Sequence, residues 1–330
     1  MHTIRQRKRD SKIVYLCKSC SRYFSVDYSP SHLNTKLLLV EYLKGHSLRN
    51  LADRLGISYV TIYRQIKQEL VKVPNSNHVT ESVCDKYSGY LLVDAKYVSV
   101  RGHESKMAFI WAIDYYTHDI VWWMLTSTEN STAYMSLFRR LKSSNYSLKA
   151  LVCDEHSSIL TTVNFVFSDA QVQICTTHYL RNLRYKLNLK NSVDSYFFRD
   201  VKSLLTAKSM KIFNSRARML VANYARYGYL LILIADLQNK ETYLTTHTRH
   251  PKCPSTTNLI ECYNKHLDVR LRKIDGFKSY ASAELWLNAY VWLKRTSVLK
   301  CCKGKFKRLN GHMPLSFTAK DSLSRIYKLN

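Results

Sequence analysis

The chain has 330 residues, of which 46% are hydrophobic, with only eight glycines and five prolines. A chain of this length and apolar content can bury a core in about two domains, and its composition argues against disorder and long flexible linkers. Its 51 lysines and arginines against 24 aspartates and glutamates give a net charge of +27, which indicates a polyanionic partner, most often nucleic acid.

The nine cysteines indicate a reducing compartment, because their number is odd and a chain of this size needs no disulfides to hold its core. No apolar stretch follows the basic N-terminus MHTIRQRKRD, so we expect no signal peptide. The apolar run at 227–237 is too short to span a membrane. We therefore expect a soluble protein whose thiols are free or bound to metal.

Residues 1–30 are predicted to combine a basic arm with a β-hairpin. Apolar and polar side chains alternate over 13–26 around Cys17 and Cys20, which form one Cys-x-x-Cys knuckle. A zinc ribbon needs two such knuckles, and the upstream residues offer only His2. We expect a degenerate zinc-ribbon-like hairpin, in which Cys17 and Cys20 are either half of a damaged Zn²⁺ site or fold without metal.

Residues 31–73 are predicted to form a helix–turn–helix domain. Their helical periodicity is broken at Gly45 and at Gly56, where glycine permits a tight turn. The first helix of the pair begins at Ser47 and the second covers 58–70. The side chains expected to face inward are Leu48, Leu51, Leu55, Val60, Ile62 and Tyr63.

The second helix of this pair is expected to enter the major groove of DNA, where polar side chains and arginine read base edges. A plain helical hairpin is the alternative, but the apolar spacing, the glycine and the polar outer face together favour DNA binding. The outward residues expected to contact DNA are Ser58, Tyr59, Thr61, Arg64 and Lys67. Residues 74–85 have no periodicity and are expected to be a linker.

Residues 86–190 predict the first part of an α/β core. Three strand patterns separated by short turns, at 90–100, 107–117 and 119–127, predict an antiparallel meander. A helix, a strand, a helix and a strand then follow in series, at 131–144, 148–156, 157–167 and 170–175. Strands alternating with helices after a meander predict a mixed sheet.

Asp94 stands in the middle of the first predicted strand, Asp154 ends the fourth, and Glu261 lies on a later helix at 254–277. A buried carboxylate costs several kcal/mol unless it is paired, and three convergent carboxylates repel one another unless divalent cations lie between them. Two Mg²⁺ or Mn²⁺ ions about 3.5–4 Å apart would support phosphoryl transfer. Rival acids for any single position are Asp114, Glu155 and Asp236.

The rest of the chain has a helical and basic character. Residues 191–250 read as a helical insertion, and 251–295 read as the last part of the core with the Glu261 helix. Residues 296–330 are expected to be a basic C-terminal tail. We expect this tail to add affinity for phosphate that falls steeply with salt.

Four motifs together resemble DDE transposases of the mutator-like superfamily, from prokaryotic insertion sequences. LLVDAKYV (91–98) is similar to the strand of the first aspartate, and LVCDEHSSI (151–159) to that of the second. CTTHYLRNL (175–183) matches the Cys-x-x-His signature, and TNLIE (257–261) resembles the final helix. The resemblance implies an RNase H-like core with a helical insertion before the last acidic residue, and it implies Asp94, Asp154 and Glu261 as metal ligands.

The residues beside these motifs are expected to support the site. His178 is expected to bond to Asp154 or to a DNA phosphate, and Cys175 to be a buried apolar residue. The other interpretations of Cys175 and His178 are half of a metal site and a Cys–His nucleophile oriented by Asp154. Further supporting and DNA-contacting residues are Asn258, Arg181, Asn182, Arg270 and Arg272.

The function implied is a transposase that binds the terminal inverted repeats of a mobile element and cleaves and joins double-stranded DNA. Water attacks first and a 3′-hydroxyl then attacks target DNA, with at least a dimer at the paired ends, in the cytoplasm of a prokaryotic cell close to the nucleoid. The alternatives are a catalytically inactive or domesticated DNA-binding regulator and an RNase H-like nuclease without strand transfer. The carboxylate interpretation also predicts that Asp94 lies near Asp154 without a lysine or arginine partner.

Overall fold

The computed structural model describes residues 3–9, 12–26 and 34–320, and the first two ranges form a small antiparallel sheet. Strands β1 (Thr3–Arg9), β2 (Lys12–Cys17) and β3 (Tyr23–Val26) pair in the order β1-β2-β3. Strands β2 and β3 are the predicted hairpin, with the Cys-x-x-Cys segment at its turn. Strand β1 was not predicted, and it adds a third strand from residues assigned to the basic arm.

Three helices follow, α1 (Thr35–Leu43), α2 (Leu48–Leu55) and α3 (Tyr59–Lys72), and the first two end at the predicted breaks near Gly45 and Gly56. The side chains of Asn34, Ser47 and Ser58 each accept a hydrogen bond from a backbone N–H of the helix they precede. Gly56 ends α2 in the left-handed region at φ 62°, which glycine adopts without strain. Local capping and turn chemistry therefore set these three boundaries.

The inner face of α3 differs from the prediction. Ile62 and Ile66 are buried, whereas Val60 is 58% exposed and Tyr63 is 44% exposed. Residues four apart lie on one face of a helix, so a face centred on Ile62 and Ile66 turns positions 60 and 63 toward solvent. On α2, Leu51 is buried as predicted but Leu55 is 40% exposed. The expected inward positions of Val60, Tyr63 and Leu55 were therefore wrong.

The segment predicted as a linker contains a helix, α4 (Ser76–Val83). Ser76 and Thr80 are fully buried, and the Ser76 N–H donates to Asn288 Oδ1 at 2.9 Å. Asn77 accepts from the Trp123 N–H at 3.1 Å and donates to the Trp123 carbonyl at 2.7 Å. The expectation of a segment without regular structure was wrong because hydrogen bonds hold this helix, and such contacts leave no apolar periodicity in the sequence.

The central sheet has five strands, which are β4 (Tyr90–Val98), β5 (Met107–Asp114), β6 (Ile120–Thr126), β7 (Ala150–Cys153) and β8 (Gln171–Ile174). They lie in the order β6-β5-β4-β7-β8. Strands β4, β5 and β6 form the predicted antiparallel meander, and β4-β7 and β7-β8 are parallel pairs. This mixed α/β arrangement is compatible with the expected RNase H-like core.

The two faces of the sheet carry separate apolar layers. Leu91 and Val93 of β4 pack with helices α5 (Ser131–Ser143) and α6 (Ser157–Val166). Leu92, between them, packs on the opposite face, where Trp286 and Leu287 of a later helix complete the core. Successive side chains of a strand point to opposite faces, so Asp94 shares the face of Leu92.

Helix α7 (Thr176–Tyr185) follows β8 and precedes the region predicted as a helical insertion. That region, 191–250, contains α8 (Ser192–Leu205), α9 (Met210–Tyr224), α10 (Gly228–Asn239), α11 (Glu241–Leu244) and α12 (Thr246–Arg249). They enclose a core of their own around buried Phe197, Leu204 and Phe213. Because this region has a core of its own, it can lie between strand β8 and the Glu261 helix without packing into the apolar layers on the two faces of the sheet.

The chain then returns to the sheet with α13 (Asn258–Ile274) and α14 (Tyr280–Thr296), followed by a 3₁₀ helix (Gly304–Leu309) and α15 (Leu315–Thr318). Leu309 and Leu315 are fully buried, so the predicted tail packs on the core as far as the structure describes it. No helix among the described residues is long and apolar enough to cross a membrane.

Candidate active site

Asp94 and Asp154 are brought together by the register of two parallel strands. Leu92 of β4 is paired with Val152 of β7, and each aspartate lies two residues further along its own strand direction. Both therefore point to the same face at the same edge, and adjacent strands lie about 4.8 Å apart. The predicted proximity of these two carboxylates follows directly from this pairing.

Asp94 is stabilised by neutral donors. Its Oδ1 accepts from the Ala95 N–H at 2.8 Å, and its Oδ2 accepts from the Asn264 side-chain amide at 2.5 Å. Burial first, and the charge of Asp154 second, raise the pKa of Asp94 to about 7. Among the residues that the structure describes, no lysine or arginine forms an ion pair with Asp94.

His178 joins the second aspartate to the glutamate. Its Nδ1 contacts Asp154 Oδ1, and its Nε2 lies 3.4 Å from Glu261 Oε1. The hydrogen bond to Asp154, followed by one to Cys175, raises the pKa of His178 to about 10. Thr257 Oγ1 also donates to Glu261 Oε1 at 3.0 Å. The protonated imidazole therefore holds two carboxylates that would otherwise repel each other.

Cys175 immediately precedes α7, three residues before His178, and is fully buried. Its Sγ accepts a hydrogen bond from the Thr257 N–H at 3.3 Å, and Thr257 Oγ1 lies 3.1 Å from it, so the single hydroxyl proton of Thr257 is shared between this sulfur and Glu261 Oε1. Burial acts to raise the pKa of the Cys175 thiol, but hydrogen bonds to His178 and Thr257 outweigh it, so the pKa is lowered. The expectation of a purely apolar Cys175 is therefore corrected, because two donors contact its sulfur.

An open cleft of about 380 Å³ lies beside the cluster. It is lined by Asp94, Asp154 and His178 and by the predicted DNA-contacting residues Arg181 and Asn182. Glu261 does not line this cleft and meets the cluster through His178. The cleft thus presents four carboxylates, those of Asp94 and Asp154 with Glu129 and Glu155 beside them, and two groups that can bind phosphate to one approaching ligand.

Two residues of the site were missed from the sequence. Asn264 lies three residues after Glu261 on α13, a spacing that places both on one helix face and could have indicated it. Glu129 lines the cleft from the loop after β6, where it accepts from the Tyr97 hydroxyl at 2.7 Å and from Tyr134. No pattern in the sequence indicated Glu129. Asn258, which was predicted, is exposed at the start of α13.

The rival acids have other partners. Asp114 is fully buried and accepts from Ser88, Thr117 and Tyr146. Glu155 and Asp236 both form ion pairs with Lys240. These contacts explain each rival acid without a metal, whereas Asp94 forms no ion pair with a lysine or arginine of the described ranges.

The residues predicted to contact DNA lie at the surface. On α3, Ser58, Tyr59, Arg64 and Lys67 are exposed and Thr61 is half-buried. Ser58 and Thr61 are already engaged in the helix cap, because their hydroxyl oxygens lie 2.8 Å apart. Arg272 is exposed near the end of α13, and Arg270 is half-buried against Gly45.

The donors fit two classes of metal to different degrees. The oxygen-only donors of Asp94, Asp154 and Glu261 suit Mg²⁺ or Mn²⁺, and such an ion would neutralise a half-buried carboxylate that has no lysine or arginine partner among the described residues.

In the hairpin, the Cys17 Sγ lies 3.1 Å from Ser19 Oγ. Within the described ranges no third His, Cys, Asp or Glu side chain joins Cys17 and Cys20, so zinc there stays a prediction.

We expect Asp94→Asn to stabilise the metal-free protein increasingly as the pH rises. The pKa of Asp94 is about 7 when folded, above its ordinary value, so ionising it costs folding free energy. Below about pH 4 the carboxyl is protonated in both states and the variant gains little; above pH 7 the parent carries the full cost. Melting temperatures in EDTA from pH 4 to 8 measure this gap. The exposed Asp169→Asn is the control, and a gap that stays constant contradicts the expectation.

Known proteins match this chain over most of its length. A family model described as "Transposase, Mutator family" matches residues 32–292. The transposase for insertion sequence element IS256 in transposon Tn4001 of Staphylococcus aureus is 24% identical over 216 residues, which cover 62% of this chain and 54% of that protein. The protein of the same name from Enterococcus faecalis (strain ATCC 700802 / V583) aligns with the same identity and coverage, so the chain spans about half the length of these relatives. The family match confirms the resemblance of the motifs, and the chain belongs to the Mutator family of transposases.

Proposed function

We propose that this protein is a transposase that binds the ends of a mobile element and cleaves and joins DNA by direct phosphoryl transfer. The observation that carries the proposal is the pair of aspartates at one sheet edge, with Asp94 half-buried and, among the described residues, without a lysine or arginine partner. In a chain with a net charge of +27, such a site is best suited to a polyanionic substrate. Family membership and the named activity of the relatives support the same conclusion.

Asp94, Asp154 and Glu261 are the residues that would hold Mg²⁺ or Mn²⁺. Bound ions, two in this proposal, supply a more acidic nucleophile and charge stabilisation at the leaving oxygen. The side chains of the protein orient these groups: Asn264 fixes one oxygen of Asp94, and His178 fixes Asp154 relative to Glu261. Arg181 and Asn182, on the cleft wall, are placed to bind the scissile phosphate.

The helix pair α2–α3 is the proposed reader of the element's terminal repeats. Helix α3 turns Arg64 and Lys67 to solvent while Ile62 and Ile66 anchor it. A second cationic surface lies where α13 meets α1, because Arg270 and Lys273 line a pocket with His46 and Arg49. A duplex following this pocket would contact the helix pair and the Glu261 helix together, so end recognition and chemistry would act on one DNA molecule.

We expect Arg64→Ala to weaken binding to the terminal repeat by about 1–3 kcal/mol and to reduce discrimination against unrelated DNA. A side chain that reads a base edge contributes to specificity, whereas one that contacts phosphate weakens all sequences equally. Fluorescence anisotropy with repeat and scrambled duplexes measures both. Arg54→Ala removes the same charge from α2, where Arg54 pairs with Glu41, and serves as the matched control. Equal losses for the two variants, or an equal loss on both duplexes, would contradict base reading by Arg64.

The decisive experiment is incubation of the purified protein with Mg²⁺ and DNA carrying the inverted repeats that flank its gene. Metal-dependent nicking at the repeat ends, followed by joining of the 3′-hydroxyl to a second DNA, is the expected result. Nicking without joining indicates a nuclease, and binding without nicking indicates a DNA-binding regulator. Because joining needs two ends held together, we also expect at least a dimer in complexes assembled on repeat DNA.

A further inference from the structure

A second ligand set, with softer atoms, shares Asp154 with the carboxylate site. Ligand atoms of Asp154, Cys175 and His178 all lie within 4.8 Å of one another. They come from the end of β7 and the start of α7, two rigid elements, so the three atoms converge without loop movement. Thiolate sulfur, imidazole nitrogen and carboxylate oxygen together are the donors that Zn²⁺ takes in proteins, and Mg²⁺ does not prefer sulfur.

The surroundings of Cys175 favour the thiolate that a metal requires. A buried cysteine that only packs needs no hydrogen-bond donor, yet the Thr257 N–H donates to this sulfur at 3.3 Å, and the Thr257 hydroxyl, whose single proton Glu261 Oε1 can also accept, lies 3.1 Å from it. Donors that contact the sulfur stabilise its charged form. Thr257 itself is fully buried, which fixes its two donors in this orientation.

The surroundings of His178 have the form found around metal-binding histidines. Such a histidine contacts the metal through one ring nitrogen and donates from the other to a carboxylate. Here the Nδ1 atom faces Asp154, while Nε2 lies 3.4 Å from Glu261 Oε1. Glu261 can therefore hold the ring with Nδ1 directed at the ion, and Thr257 links Glu261 to Cys175.

We propose that Cys175, His178 and Asp154 bind one transition-metal ion such as Zn²⁺, in addition to the hard ions of the carboxylate site. Ion binding displaces the proton of the imidazole and any proton of the thiol, so affinity rises with pH. Asp154 belongs to both ligand sets. Zn²⁺ therefore competes with Mg²⁺ for Asp154 and inhibits DNA cleavage. The inhibition of cleavage rests on the proposed function, whereas the binding of Zn²⁺ does not.

The test uses Co²⁺ as a spectroscopic probe of thiolate ligation in the full-length, chelator-treated protein. The five cysteines that are not buried offer other thiols and are replaced with serine in the parent: Cys17, Cys20, Cys262, Cys301 and Cys302. We expect one equivalent of Co²⁺ to produce a thiolate-to-cobalt charge-transfer band, which Zn²⁺ abolishes and a large excess of Mg²⁺ leaves in place. His178→Ala keeps the thiol, and we expect it to weaken Co²⁺ binding about 10-fold to 100-fold.

Cys175→Ser should eliminate the band, and Cys153→Ala is the matched control, because Cys153 is equally buried and adjacent to Asp154 but outside the ligand set. Circular dichroism verifies that each variant is folded, and His178→Ala decides the question if Cys175→Ser does not fold. Absence of the band in the parent, its survival in Cys175→Ser, or unchanged affinity in His178→Ala overturns the proposal. No DNA is present, so this outcome is independent of whether the protein nicks DNA.

Discussion

Asp154→Ala is expected to abolish nicking of repeat DNA while leaving DNA affinity intact or slightly increased. Asp154 is the one residue that contacts His178, faces Asp94 across the strand pair and lines the cleft. Losing a ligand to the catalytic ions removes several kcal/mol of transition-state stabilisation, which corresponds to about 10³-fold or more in rate. Removing a negative charge from the cleft does not oppose the approach of DNA.

The matched control for this variant is Glu155→Gln. Glu155 is the next residue, lines the same cleft and is also acidic, but it pairs with Lys240 on the helical insertion. We expect its effect on the nicking rate to be less than about tenfold, because a half-exposed ion pair contributes about 1 kcal/mol or less. Single-turnover nicking at saturating protein separates the chemical rate from binding, which is measured by anisotropy on the same duplex.

Two outcomes would reject the carboxylate assignment. One is nicking by Asp154→Ala at a rate close to that of the parent. The other is an equal loss in Glu155→Gln, which would assign the effect to general charge in the cleft. Asp94→Asn and Glu261→Gln extend the test to the other two positions. The assignment requires all three variants to lose nicking to a similar extent, because residues that hold one metal cluster act as a unit.

Much of this site could be predicted because strands impose strict geometry on their side chains. A charge within an apolar strand, as at Asp94, and one at a strand end, as at Asp154, are conspicuous in the sequence for simple energetic reasons. What no spacing encodes is the meeting of α7 with the start of α13, which the hydrogen bond from the Thr176 N–H to the Ser255 carbonyl at 2.9 Å establishes.

The errors have a common physical origin in contacts between distant segments. Helix α4 is held by Asn288 and Trp123, which lie far away in the sequence, so no local pattern revealed it. The exposed Val60 and Tyr63 were assigned to the core from residue type, although the burial of Ile62 and Ile66 sets the face. Glu129 reaches the cleft only because the loop after β6 turns toward it, so no local pattern indicates this carboxylate.

The second large effect is expected from the buried ion pair of Arg295, which lies far from the cleft. Both Arg295 and Asp119 are completely buried, and the guanidinium donates to the two oxygens of Asp119 at 2.8 Å each. Its remaining Nη1 atom donates to Ser76 and Thr80 of α4. This one side chain therefore ties α14 to the β5–β6 turn and to α4, and Thr318 of α15 adds a hydrogen bond to the same Asp119.

Arg295→Met is expected to lower the free energy of unfolding by about 3–5 kcal/mol, because it leaves the Asp119 carboxylate buried without a counter-charge. The double variant with Asp119→Asn should recover part of this loss, since no uncompensated charge then remains in the core. Arg54→Met, which breaks the exposed pair with Glu41, should cost about 1 kcal/mol or less. Urea denaturation followed by tryptophan fluorescence compares the three variants with the parent. If Arg295→Met costs no more than Arg54→Met, or if Asp119→Asn deepens the loss, the pair is not the link between α4, α14 and the sheet that its contacts imply.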